Sequence, residues 1–204
     1  MLKEIFKKNK CDKSSKHSYE LIYENDFEKF KNEKINILEV GIFRGESMSS
    51  WIDYFPNATV YGIDIFTRVK ESEIKILTHP RVKYLKADST KNNIKSIIDA
   101  EWIDIKFDVI IDDGLHTPLA NKETFLNLIE YLKDDGSFYI EDIWPLNDMS
   151  DKERNHYWIK KHPQDYTKEN MDIFLNSIKN YNLEIFDNRK ISKEPDSVIY
   201  KITK

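Results

Sequence analysis

Only one cysteine, Cys11, occurs in the 204 residues, so no disulfide can form within the chain. A lone thiol fits a reducing compartment, and the expected location is cytoplasmic. Cys11 is read as a packing residue rather than a nucleophile. No apolar run approaches the roughly 20 residues that cross a bilayer. The opening Met1-Leu2-Lys3-Glu4-Ile5-Phe6-Lys7-Lys8 lacks the apolar stretch of a secretory signal. Basic residues are not in excess either: 32 Lys and Arg face 36 Asp and Glu, for a net charge of -4. An acidic chain without a basic, aromatic-studded face makes a poor nucleic-acid enzyme. Neither a membrane span nor a nucleic-acid partner is therefore expected. The basic cluster Lys3, Lys7, Lys8, Lys10, Lys13 and Lys16 reads as a solvated, partly frayed end.

What is present suits a globular protein: 40% hydrophobic and 13% aromatic residues, enough to bury a core over one domain spanning 1–204. Short apolar runs alternate with amphipathic stretches, and no internal repeat is found. Ile35 to Val40 reads as a strand ending at Gly41, Thr59 to Asp64 as a second, and Arg81 to Ala87 as a third. Phe107 to Asp112 is a fourth and Ser137 to Glu141 a fifth, after a turn at Asp134-Asp135-Gly136. Glu46 to Tyr54, Ile94 to Ile98 and Leu119 to Leu132 carry helical spacing between them. Leu183 to Phe186 and Ser197 to Ile202 read as a closing pair of strands. Strands alternating with helices predict an α/β, doubly wound, mostly parallel sheet. Residues 1–33 form an N-terminal cover, with a helix from Tyr19 to Phe30 over the sheet edge. Residues 144–169 read as an insertion on the substrate side.

Ligands of such sheets bind beyond the carboxyl ends of the strands. Each of those ends carries an acid here: Glu39, Asp64, Asp88, the pair Asp112-Asp113, and the pair Glu141-Asp142. A buried strand end tolerates charge only when a ligand, a metal or hydrogen bonds offset its desolvation. The turn Gly41-Ile42-Phe43-Arg44-Gly45 lacks the middle glycine that lets a backbone approach a pyrophosphate. Phe43 thus argues against a dinucleotide and leaves room for a nucleoside. Asp64 is placed for both ribose hydroxyls, Asp88-Ser89 for an adenine amino group, and Glu39 with Gly41 for the ends of a methionine moiety.

At this point the chain resembles the class I S-adenosylmethionine-dependent methyltransferases. Within them it is similar to the metal-dependent sugar O-methyltransferases of the macrolide and rhamnosyl type, a group related to cephalosporin hydroxylase-like proteins. The stretches that carry the likeness are Asp12-Lys13-Ser14-Ser15-Lys16-His17-Ser18-Tyr19, Leu38 to Ile42, Trp51 to Ala58 with Tyr61 to Ile65, Ile110 to His116, and Tyr139 to Asp142. Leu115 stands where that group usually has serine, Ile143-Trp144 differs from its usual continuation, and an extra N-terminal domain of some macrolide enzymes is missing. The resemblance implies a Rossmann-like seven-stranded sheet with an antiparallel C-terminal strand. It implies S-adenosylmethionine on Glu39, Gly41, Gly45, Ser47, Asp64, Ile65, Asp88, Ser89 and Asp112. Mg²⁺ would sit on Asp112, Glu141 and Asp142, hard oxygen ligands at neighbouring strand ends. His116, with Asp112, would be catalytic, the imidazole acting as base toward a hydroxyl. His17, Tyr19, Asp113 and Trp144 are candidates for substrate contact.

The activity so implied is methyl transfer to a sugar hydroxyl of a glycoconjugate, nucleotide-sugar or surface polysaccharide precursor, and a homo-oligomer is open. Three alternatives stay open beside it: a catechol-like or phosphorus-linked acceptor, a nicotinamide-dependent oxidoreductase, and a non-catalytic nucleoside-binding module.

Overall fold

The computed structural model describes residues 1–204. In chain order the elements are α1 (Leu2–Lys8), α2 (Asp12–Ser15), α3 (Glu20–Phe27), β1 (Asn36–Val40), α4 (Glu46–Tyr54), β2 (Thr59–Asp64) and β3 (Val82–Lys86). They continue with α5 (Ile94–Glu101), β4 (Phe107–Asp112), α6 (Pro118–Leu128), β5 (Leu132–Ile140), α7 (Asp151–Arg154) and α8 (Tyr157–Lys161). The chain closes with α9 (Lys168–Ile178), β6 (Asn182–Asp187), α10 (Arg189–Ser192) and β7 (Val198–Thr203).

One 7-stranded sheet has the order β3-β2-β1-β4-β5-β7-β6. The first five strands pair in parallel, and β7 runs antiparallel between β5 and β6. This is the expected doubly wound sheet with its antiparallel C-terminal strand. Every residue of β4 is buried, as a central strand covered on both faces requires. Strand order reverses between β1 and β4, so a crevice opens beyond their carboxyl ends.

Alternation along the strands divides the core between the two faces. Ile37, Val109, Ile111, Tyr139 and Ile199 point to one face, where they meet Phe6, Tyr23, Phe27, Met48 and Trp51 of α1, α3 and α4. Leu38, Val40, Ile110, Phe138, Ile140 and Ile202 point to the other, against Ile94, Ile98, Phe125, Leu128, Phe174 and Ile178 of α5, α6 and α9. Tyr23 and Phe27 stack on one another at 4.9 Å, and each meets Trp51 and Tyr139 edge to face with ring centroids 5.2 to 5.7 Å apart.

The structure departs from the sequence reading in three places. The N-terminus is docked, not frayed: Leu2 and Phe6 are fully buried, Lys8 pairs with Asp53 at 2.9 Å, and Lys13 is interior. Its segment covers a sheet face, not an edge, because Tyr19, Tyr23 and Phe27 supply apolar area that only a face can bury. Asp134-Asp135-Gly136 lies inside β5, where the pairing with β4 shifts register, so the turn signal marks a bulge.

Candidate active site

The turn after β1 is shaped by left-handed backbone and by Asp64. Gly41 has φ +90 and Gly45, the residue before α4, has φ +78. Phe43 between them is also left-handed, at φ 49. Asp64 at the end of β2 holds this turn: its Oδ2 accepts from the N–H groups of Ile42 at 2.7 Å and Phe43 at 3.0 Å. Its Oδ1 accepts from the N–H of Phe66 at 2.6 Å. The amides that would cradle a pyrophosphate are therefore already engaged by a carboxylate. On its other side the turn touches the β4 loop. A Cβ on Gly41 would lie 2.0 Å from the backbone oxygen of Asp113.

Beyond the turn lies a cavity of about 510 Å³, in the range of small-molecule sites. Gly41, Ser47, Asp64, Ile65, Asp88 and Ser89 all line it. Asp88 Oδ1 accepts from the backbone N–H and hydroxyl of Thr90, at 3.0 and 2.6 Å, which leaves Oδ2 for another donor. Ser89 Oγ lies 2.9 Å from Thr124 Oγ1. Glu39 and Gly45 do not reach the cavity wall. Glu39 is fully buried behind it, accepting from Ser47 Oγ at 2.7 Å. Its Oε1 has no hydrogen-bond partner, with Lys13 Nζ 3.4 Å away.

The acids at the β4 and β5 ends divide differently from the expected trio. Asp112 is turned inward, where Oδ2 accepts from Asn121 Nδ2 at 3.1 Å and Oδ1 from the Gly114 N–H at 3.3 Å. It braces the loop and does not line the cavity. Glu141 is likewise interior, bound by the Tyr23 hydroxyl and by Lys13 Nζ at 2.5 Å. The atoms that converge belong to Asp113, His116 and Asp142, all within 4.8 Å of one another on the cavity wall. His116 Nε2 lies 3.5 Å from Asp113 Oδ1 and 4.0 Å from Asp142 Oδ2. Its Nδ1 is buried without a partner. Both His116 (φ 59) and Asp142 (φ 54) are left-handed, a strained state held by its surroundings. In sequence, a period-2 strand ending in two acids does not say which of them turns outward. Here Asn121, one turn inside α6, claims Asp112 and leaves Asp113 to the cavity.

His17 and Tyr19 stand behind Asp142 rather than at the cavity. The Tyr19 hydroxyl donates to Asp142 Oδ1 at 2.8 Å and accepts from its N–H at 3.2 Å. His17 Nδ1 lies 2.8 Å from Ser197 Oγ and 3.5 Å from Asp142 Oδ1. Trp144 is buried against His156 and Tyr166, away from the cavity. Lys13 and Tyr23 were absent from the sequence-based site. The signal for Lys13 was its place in the Asp12 to Tyr19 stretch.

Burial raises the carboxyl of Asp112 to about 6, against the opposing bond from Asn121. Burial raises Glu39 to about 7, with Lys13 pulling the other way. For His116 burial opposes the charged form, but Asp142, Asp113 and Asp112 outweigh it and raise the imidazole. Asp112 and Glu39 hold more protons in the folded protein than in the unfolded chain from roughly pH 4.5 up to their raised values, and His116 does so from its ordinary value of roughly 6.5 upward. Their contribution to stability is thus present at low pH and lost as pH rises through the shifted values. The carboxylates shifted downward, such as Glu153 and Asp187, lose their contribution only below the ordinary carboxylate range. Metal-free protein is accordingly expected to melt at a higher temperature at pH 6 than at pH 8. Scanning calorimetry across that range checks it, and a midpoint that rises with pH would refute the assignment.

Residues 31–199 match the family described as a methyltransferase domain, and the chain belongs to that family. Among particular proteins, it is 27% identical over 135 residues to mycinamicin VI 2''-O-methyltransferase of Micromonospora griseorubida, an alignment covering 60% of this chain and 30% of that protein. It is 30% identical over 146 residues to 8-demethyl-8-alpha-L-rhamnosyl tetracenomycin-C 2'-O-methyltransferase of Streptomyces olivaceus, covering 66% of this chain and 36% of that one. The solved MycE methyltransferase from the mycinamycin biosynthetic pathway, in complex with Mg, SAH and mycinamycin VI, shares the fold. Its TM-score is 0.71 at 20% identity, over 99% of this chain and 54% of that one. The chain thus spans about a third of the length of these curated relatives and about half of that solved chain. No helix is long and apolar enough to cross a membrane.

Proposed function

We propose that this protein transfers a methyl group from S-adenosylmethionine to a sugar hydroxyl, with Mg²⁺ held at Asp113 and Asp142 and His116 receiving the hydroxyl proton. The convergence of Asp113, His116 and Asp142 on the wall of the cavity lined by Gly41, Asp64 and Asp88 carries this reading. The rhamnosyl tetracenomycin-C O-methyltransferase named above supports a sugar hydroxyl as the acceptor. The acceptor proposed here is a glycoconjugate, nucleotide-sugar or surface polysaccharide precursor.

The donor set fits the metal. Mg²⁺ takes one or two carboxylates and keeps its remaining positions for water or substrate oxygens. Two carboxylates, Asp113 and Asp142, converge at one end of the cavity, and a flanking imidazole remains for proton transfer. When bound, the cation would lower the pKa of an acceptor hydroxyl. The cavity also fits the methyl donor. Asp88 Oδ2 accepts no hydrogen bond, with Lys91 Nζ 4.0 Å away, which leaves it for an adenine amino group. Asp64 Oδ1 accepts only from the Phe66 N–H, which leaves a lone pair for a ribose hydroxyl.

The residues of the chain then have limited tasks. His116 Nε2 accepts the hydroxyl proton, and Asp113 and Asp142 favour the resulting imidazolium. Tyr19 fixes Asp142, and Asn121 with the Gly114 N–H fixes the loop that bears Asp113 and His116. The sulfonium methyl is already activated, so alignment and exclusion of water supply the rest.

Thermal-shift titration and a methyl-transfer assay test this reading. S-Adenosylhomocysteine should stabilise the protein and NADH should not. Chelator treatment should remove transfer to a rhamnose-type acceptor, and Mg²⁺ should restore it. Stabilisation by NADH alone would overturn the cofactor, and full activity after chelation would overturn the metal.

A further inference from the structure

Lys13 belongs to α2, far in sequence from the strand ends, yet its side chain is only 1% exposed. Its ammonium donates to Asp113 Oδ2 at 2.6 Å and to Glu141 Oε2 at 2.5 Å, with Glu39 Oε1 3.4 Å away. An ammonium has three protons, and here three carboxylates surround it. Asp113 is thereby divided between two sides. Oδ2 is held by Lys13 in the interior, while Oδ1 lies 3.5 Å from His116 Nε2 at the cavity.

We propose that Lys13 is the resident counter-ion of this acid cluster, competing with the divalent cation for Asp113 and so keeping metal binding weak and exchangeable. The inference rests on the metal reading of the site given above. A cation bound at Asp113 would sit one carboxylate away from a buried ammonium, and like charges repel strongly where water is excluded. Lys13 also occupies an oxygen of Asp113 that would otherwise be free to ligate. Affinity at oxygen sites is tuned by the number of charged ligands, so a cluster already sharing its charge with lysine holds a cation loosely. In metal-free protein the same ammonium keeps the acids from repelling one another apart. Lys13 is thus a positioning residue: it acts through Asp113.

The test is Mn²⁺ binding, followed by electron paramagnetic resonance on the full chain, for wild type, Lys13→Met and Lys13→Arg. Lys13→Met removes the charge at similar length and should bind Mn²⁺ at least about tenfold more tightly. Lys13→Arg keeps the charge and should stay within about threefold of wild type. Unchanged or weaker binding by Lys13→Met, beside a clear wild-type site, overturns the inference while leaving the metal reading intact. Absence of any wild-type Mn²⁺ site at millimolar concentration overturns both. Should Lys13→Met fail to fold with or without Mn²⁺, the wild-type protein decides. Its Lys13 ¹⁵Nζ resonance, protected from exchange by burial, should shift on saturation with Mg²⁺, and a resonance that does not move overturns the competition.

Discussion

Replacing Gly41 with alanine is expected to weaken S-adenosylhomocysteine binding at least about 100-fold, roughly 2.7 kcal/mol. Two features of the turn combine to give so large an effect. The backbone there has φ +90, which an L side chain adopts only with strain, and the new Cβ would lie 2.0 Å from the Asp113 carbonyl oxygen. The obstacle is backbone and not the tip of a flexible side chain, so relief requires the β4 loop to withdraw. Asp113 and His116 withdraw with it. The substitution should therefore damage the methyl-donor pocket and the metal cluster together, and Mn²⁺ binding should weaken alongside the nucleoside. Calorimetric titration of both ligands checks this. An alanine variant that binds S-adenosylhomocysteine within about threefold of wild type would show that the turn is not the binding element.

His116→Ala should cost roughly 10²- to 10⁴-fold in methyl transfer, the usual worth of a general base. It should leave S-adenosylhomocysteine binding nearly unchanged, because no contact of His116 holds the Gly41 turn. Against the opposing effect of burial, Asp142, Asp113 and Asp112 raise the imidazole, which favours its protonated form at the expense of the form that accepts a proton. Wild-type activity should accordingly climb with pH through that raised value, and the alanine variant should lose the climb. A variant with the wild-type rate and the wild-type pH profile would remove His116 from the chemistry.

The strands, their parallel arrangement and the location of the cavity could be read from the sequence because they rest on local patterns. Buried runs such as Phe107 to Asp112 end in acids, and a glycine turn follows β1. Which acid faces which way rests on tertiary partners that no local pattern encodes. Asp112 was expected to meet metal and cofactor, yet Asn121 turns it inward. Glu141 was expected beside Asp142, yet Lys13 and Tyr23 hold it in the interior. His17 and Tyr19 were expected at the substrate, yet their contacts run to Asp142 and Ser197 from behind. The N-terminal lysines are solvated as expected except Lys13, and charge pattern alone cannot show that this one meets carboxylates at least a hundred residues away. The bulge at Asp134-Asp135-Gly136 was hidden for a different reason: turn residues mark a change of direction and a register slip alike.

The docking of the N-terminal segment also bears on the order in which the protein assembles. Lys13 and Glu141 are 128 positions apart, Tyr23 and Glu141 118, and His17 and Ser197 180. Contacts of such separation form only after the intervening chain has lost most of its freedom, since loop closure must precede any gain from the contact. The glycine turn and Asp64, 22 positions apart at Ile42, can meet much earlier. The N-terminal residues Cys11, Asp12 and Lys16, which also line the cavity, join the glycine turn only with these later contacts. Under the proposed function, competence for chemistry is expected to arrive with the last long-range closure, after the glycine turn and Asp64 have met.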